Sequence, residues 1–392
     1  MIRKSWVLAL SLIFLLAGCA PSFNKEQEIK QDGKSESKEE TAIIPKYKIS
    51  DDYYQTILPF EPSKARGLVV SNLNTRYDIE EFENGLMRMA QTQFDPDEYL
   101  FQEGQILDGT TISKWLRREY TKEQLKENKV EAKDNIGLNP VDPGKGDIKE
   151  RNEKNPIYLA HILEHDYLKK DGDKVSLAGV TIGLALNSVH YYQKEQYGAT
   201  YEKKIDKKKM EEEGKKIAAE VLKRLRQMDQ LKNVPITIAL FEQKEKSSVV
   251  PGNFISYTNV GENANSIGKW NELDEHYYLF PTSSEAKEKY RDDVTAFTNF
   301  KEDVEEFFPN FNGVIGRALY ANGEMQSLNI DIPIQFYGNS EAVAFTQYVT
   351  GLVMERFPKY IALQVSITSV NGPEALIVRE ADAGEPQVHI YE

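Results

Sequence analysis

Cysteine is almost missing from this chain: its 392 residues include one, Cys19. An intramolecular disulfide framework is therefore excluded. No G-x-S-x-G nucleophile turn and no G-x-G-x-x-G dinucleotide fingerprint occurs. Gly144-Lys145-Gly146 is not a phosphate loop, because Asn139 stands where the first glycine is needed and Gly146 where Ser or Thr is needed. No cofactor is expected from these absences. Positive charge is in deficit, with a net charge of −13. Arg3 and Lys4 are the only charges of residues 1–19, and the six lysines and six acids of 20–50 cancel, so residues 51–392 carry −15. An acidic body of this kind is a poor partner for nucleic acid and is repelled by an anionic membrane surface. Nor is there an apolar run of the roughly 20 residues that a stable membrane span requires.

What is present at the N-terminus is a shorter run. Arg3 and Lys4 precede Ser5–Gly18, which is uncharged and mostly Leu, Ile, Val, Phe and Ala, and the stretch ends Leu16-Ala17-Gly18-Cys19. This is the layout of a bacterial secretory signal with a lipobox. The positive start stays at the cytoplasmic face. Small Ala17 and Gly18 let a peptidase reach the backbone, so the cut falls between Gly18 and Cys19. Two acyl chains on the Cys19 thiol then give stable anchoring, at about 0.8 kcal/mol per buried methylene. The expected location is the outer face of the cytoplasmic membrane of a Gram-positive bacterium, held by diacylglycerol on Cys19.

Along the chain, residues 1–18 read as signal peptide and 19–50 as lipidated N-terminus and disordered linker. Asn24 to Glu40 has one aliphatic residue, Ile29, and cannot bury enough apolar surface to fold. Residues 51–156 read as a mainly helical region with a long loop. In it Ile79, Phe82, Leu86 and Met89 recur at helical spacing behind Asp78, taken as N-cap with Glu81 three residues on. Residues 157–282 read as a first sheet-and-helix unit: a hairpin turning at Asp171-Gly172, a helix from Tyr201 to Leu231, a strand from Val234 to Phe241 and another near Phe254. Residues 283–392 repeat that order. A helix within Ser283–Phe308, with Phe297, Val304, Phe307 and Phe308 as core candidates, leads to a hairpin turning at Asn322-Gly323. A helix from Ser340 to Phe357 and strands Tyr360–Ser369 and Ala375–Arg379 follow. The fold class is therefore α+β with two related units.

The sharpest catalytic pattern is His161-Ile162-Leu163-Glu164-His165. On a helix it matches the H-x-x-E-H arrangement of inverted zinc proteases, with His161 and His165 as ligands and Glu164 as general base. On a strand, Leu159, His161, Leu163, His165 and Tyr167 alternate onto one face and the histidines stand about 13 Å apart, too far to share an ion. The hairpin turn just downstream favours the strand. The pairs Tyr53-Tyr54, Tyr191-Tyr192 and Tyr277-Tyr278 present amphipathic rings that can grip a peptide or stack on a sugar.

Several stretches resemble one family: Glu83-Asn84-Gly85-Leu86-Met87, Phe94-Asp95-Pro96-Asp97, Gln102-Glu103-Gly104-Gln105 and Gly179 to Asn187 (GVTIGLALN), together with the lipobox. On these the chain resembles the CamS family, bacterial lipoproteins described as precursors of a sex pheromone of the cAM373 type. The resemblance implies that the peptide just before the lipidated cysteine is released and acts as a pheromone. The family peptide reads Ala-Ile-Phe-Ile-Leu-Ala-Ser. Here Leu12-Ile13-Phe14-Leu15-Leu16-Ala17-Gly18 matches at Ile13, Phe14, Leu16 and Ala17 and departs at Leu12, Leu15 and Gly18. The expected function is a surface lipoprotein whose signal releases a pheromone-like peptide and whose body binds an extracytoplasmic ligand, a peptide or a cell-wall glycan. The alternatives are a zinc-dependent hydrolase built on His161, Glu164 and His165, or a structural lipoprotein without a small ligand.

Overall fold

The computed structural model describes residues 27–32, 39–45, 49–50, 53–307 and 313–391. Leu12–Gly18 and Cys19 lie outside the described residues. The first strands are β1 (Gln27–Asp32), β2 (Glu39–Ile44), β3 (Gln55–Thr56) and β4 (Leu100–Glu103). The stretch expected as a linker thus contains two strands. β1 and β2 pair antiparallel, and β1 also takes the free edge of a later strand at Lys30 and Gln31. Backbone pairing to an existing sheet needs no apolar side chains, which is why composition did not reveal it.

Helices α1 (Leu68–Asn72) and α2 (Arg76–Ala90) come between β3 and β4. The N-cap of α2 is Thr75, whose hydroxyl accepts from the Asp78 amide at 3.0 Å, so Asp78 is not the cap expected from sequence. Asp78 instead sits in the first turn, buried. Its carboxylate accepts from the Gly252 and Lys244 amides at 2.8 and 3.2 Å and ties the helix to a distant loop. Three short helices follow, α3 (Gly109–Trp115), α4 (Lys122–Glu127) and α5 (Ile148–Lys154). The long loop around them is pinned by buried Asn139, which accepts from the Tyr158 and Leu159 amides and donates to the Leu116 and Leu159 carbonyls.

The first unit holds β5 (Leu159–Asp171), β6 (Lys174–Asn187), β7 (Val189–Gln193), β8 (Thr200–Lys204), α6 (Lys207–Leu225), β9 (Ile236–Gln243), β10 (Asn253–Val260) and β11 (Asn271–Glu272). The helix expected from Tyr201 starts six residues later. Asp206 caps it through the Lys209 amide, and Tyr201 is in β8, stacked on Tyr192 of β7 at 5.7 Å. In the first sheet the order is β11-β10-β9-β6-β5-β4-β3. One face packs on α6 through Ile217, Val221, Leu222 and Leu225. The other packs on α2 through Phe82, Leu86 and Met89. Full burial of such side chains contributes about 1.5–3 kcal/mol each.

The second half holds β12 (Glu275–Phe280), α7 (Ser284–Lys289), α8 (Arg291–Phe307), β13 (Ile315–Ala321), β14 (Glu324–Pro333), α9 (Asn339–Arg356), β15 (Ala362–Ser369), β16 (Gly372–Arg379) and β17 (Gln387–Ile390). Its sheet runs β12 to β17 in sequence order, beginning at Glu275, ahead of residue 283. Phe297, Phe300 and Val304 of α8 fill its core, whereas Phe307 is partly exposed and Phe308 lies outside the described residues. The repeated order is real at the level of topology. β5-β6 and β13-β14 are antiparallel hairpins, and α6 and α9 each lead to a parallel neighbour, β9 on β6 and β15 on β14. Each parallel strand is then joined by an antiparallel one, β10 or β16. The mixed α+β architecture with two related units is therefore present. Helix α2 also joins the halves: Arg88 bridges Glu81 of its own helix (2.8 Å) and Glu275 of β12 (3.0 Å), and Tyr277 donates to Glu81 at 2.6 Å.

Candidate functional site

Strand β5 sets the site. Its alternation sends His161, Leu163 and His165 toward α1 and α2, and Ile162, Glu164 and Asp166 to the opposite face. The inverted zinc-protease arrangement is therefore not formed, because the segment is a strand and Glu164 points away from both histidines. Glu164 accepts from the Ile106 and Leu107 amides at 2.9 and 2.6 Å, and Asp166 from the Gln105 amide at 2.8 Å. Burial, and then the Glu164 charge beside it, push the Asp166 carboxyl well above the usual carboxylate range. Among the described residues no group of three or more His, Cys, Asp and Glu side chains is placed to hold a metal ion.

On the α2 side of β5 lies a cleft of about 410 Å³, within the size range of small-molecule sites. Its apolar wall is Val69, Val70, Ile79, Met87, Phe101 and Leu163. Its polar lining is Arg66, Glu83, Asn84, Glu103, His161 and His165. Burial holds both imidazoles neutral, pushing His161 down to about 4 and His165 to about 3. Asn72 Nδ2 stands 3.1 Å from His161 Nδ1, while Nδ1 of His165 is buried and has no hydrogen-bond partner among the described residues. Phe101 meets the His165 ring edge to face at 5.0 Å. Glu103 accepts from the Ser63 amide at 2.5 Å, fixing the entrance segment. Glu83 is exposed at the rim, and desolvation and then Glu103 raise its pKa, with Arg66 opposing.

The sequence singled out His161 and His165 and favoured a strand over the zinc-binding helix; the segment is a strand, and both histidines line the cleft. Arg66, Glu83 and Phe101 were missed as lining residues; the signal available was that Glu83 and Glu103 fall in two of the quoted motifs. The paired tyrosines are not brought together. Tyr54 donates to the Phe94 carbonyl, Tyr191 accepts from Lys246 and Tyr277 serves the Glu81–Arg88 bridge; none of the six lines this cleft.

The motifs acquire physical roles from packing. Gly104 lets the Glu103–Leu107 segment lie on Glu164, since a Cβ there would stand 2.7 Å from the Glu164 backbone oxygen. Gly179 and Gly183 of β6 admit the rings of Phe94 and Phe82, and Gly85 of α2 admits Phe254.

A family profile described as "CamS sex pheromone cAM373 precursor" matches residues 60–385. Two solved structures share this architecture and over a third of the sequence. The C-terminal domain of the sex pheromone staph-cAM373 precursor from Staphylococcus aureus is 36% identical, with a TM-score of 0.73 over 82% of this chain and 98% of that one. The sex pheromone precursor from Lactobacillus salivarius subsp. salivarius UCC118 is also 36% identical, with a TM-score of 0.81 over 90% of this chain and 99% of that one. A comparison with curated proteins found no match. The chain belongs to the CamS family of sex pheromone cAM373 precursors.

Proposed function

We propose that this protein is a surface lipoprotein whose body is an extracytoplasmic binding module, with the cleft between α2 and β5 as its ligand site. The observation that carries the reading is a cleft of about 410 Å³ lined in part by His165, whose buried Nδ1 has no hydrogen-bond partner among the described residues. A buried polar atom left unpaired costs about 1–3 kcal/mol, which a ligand group or water removes. Attachment is by diacylglycerol on Cys19, a reading supported by the sequence Leu16-Ala17-Gly18-Cys19 behind an uncharged apolar run. The cut before Cys19 releases the segment that ends in Leu12–Gly18, the pheromone-like peptide.

Two measurements test this. Mass spectrometry of molecules released from the protein purified out of membranes should find a small ligand whose retention is lost in Leu163→Arg, a variant that fills the cleft floor. Retention unchanged in that variant would remove the cleft from the reading. Cys19→Ser should abolish lipid labelling and send protein to the medium or leave unprocessed precursor. Normal acylation and membrane retention would refute the anchor.

A further inference from the structure

We propose that the cleft takes a short apolar peptide with both termini free, its ammonium on Glu83, its carboxylate on Arg66 and a backbone N–H on His165. This rests on the binding-module reading and names the ligand class for the same site. Glu83 and Arg66, both exposed, line the same opening, and the second carboxylate near them, Glu103, is half-buried and already accepts from the Ser63 amide. Among the described residues neither is in an ion pair or a side-chain hydrogen bond; the Arg66 guanidinium lies 5.8 Å from the centre of the Phe60 ring. They are near enough for Arg66 to oppose the upward shift of Glu83, yet not bridged. Two opposite charges left open at one mouth match a zwitterion, whose own charges sit a few ångströms apart.

The floor supplies the rest of the selectivity. Val69, Met87 and Leu163 offer aliphatic surface, which suits leucine-like side chains at about 25 cal/mol per Å² removed from water. A glycan is disfavoured, because sugar recognition uses flat aromatic platforms and many polar partners, and among the described residues Phe101 is the one Phe, Tyr or Trp in the lining, its ring edge to face with His165. The neutral His165 imidazole has a buried Nδ1 without a partner among the described residues, an acceptor for a peptide N–H when Nε2 carries the proton. A free amino acid has no such N–H.

The test is isothermal titration of the full mature chain with Leu-Leu, N-acetyl-Leu-Leu, Leu-Leu amide and L-leucine. Leu-Leu should bind best, with each of the other probes about tenfold weaker, the loss expected for about 1.4 kcal/mol. Glu83→Gln should erase the difference between Leu-Leu and its acetylated form while keeping the difference from the amide. Arg66→Gln should do the reverse. Both residues are exposed, so both variants fold. Equal binding of the four probes would overturn the peptide assignment and leave a binding cleft of another class. No binding of any probe, together with unchanged ligand retention in Leu163→Arg, would overturn the binding module itself.

Discussion

Gly179 of β6 faces the ring of Phe94, and a methyl group there has nowhere to go. A Cβ at residue 179 would stand 2.2 Å from Phe94 Cε1 and 2.5 Å from Cζ, against about 3.5–4.0 Å for an ordinary carbon contact. The ring cannot easily retreat. It is fully buried, stacked on Tyr167 at 4.8 Å with planes 16° apart, and closed on a second side by Tyr99 at 5.2 Å. Overpacking of this kind costs about 1–3 kcal/mol, and the better strand backbone of Ala returns about 0.5–1 kcal/mol. Gly179→Ala should therefore destabilise by about 1 kcal/mol net, lowering the unfolding midpoint by about 1–2 °C in a chain of this size. Phe94→Ala alone should cost about 3–5 kcal/mol. In the double variant the new methyl enters the vacated space, so the total should fall about 2 kcal/mol short of the sum. Urea unfolding of the mature chain, followed by intrinsic fluorescence, measures all three. Parental stability in Gly179→Ala, or strict additivity in the double variant, would refute the argument that the two motifs are coupled through this contact.

The other predictions concern the site and the signal. Glu164→Gln turns one acceptor into a donor opposite the Ile106 and Leu107 amides, and calorimetry should show a loss of about 1–3 kcal/mol; no loss would mean that this carboxylate does not hold the 104–107 segment. His165 is held down to about 3 by burial. Below the unfolded value of about 6.5, the unfolded chain takes a proton that the folded chain refuses, so this group removes stability as pH falls, about 2 kcal/mol by pH 5. His165→Gln should then lose correspondingly less stability between pH 7.5 and 5, whatever its absolute stability, and an identical loss would refute the buried neutral imidazole. Phe14→Leu should leave Cys19 lipidation intact, since the run stays apolar, but cut the response of recipient cells to synthetic Leu12–Gly18 about tenfold if a receptor pocket fits the ring. A recipient that ignores the unmodified peptide at micromolar dose would show this segment to be only a signal.

Local pattern was enough to read much of this chain. The turn glycines Gly172 and Gly323, the helical spacing of Phe82, Leu86 and Met89, and the strand-helix-strand order of both halves depend on neighbours a few residues apart, and all are found in the fold. The same local view misjudged Tyr201, where a charged, alternating stretch reads as helix until β7 offers it a partner. It also misjudged Asp78, whose carboxylate serves residues 166 and 174 positions away. The cleft was illegible for the same reason. Strand alternation places His161 and His165 on one side and Glu164 on the other, but only the tertiary structure brings α1 and α2 over that side and leaves Arg66 and Glu83 open at its rim. The amides that hold Glu164 are 57 and 58 residues away. Periodicity reports which face a residue takes; it carries no information about which distant backbone will come to rest against that face, and that contact is what separates a zinc ligand set from a structural carboxylate behind a cleft.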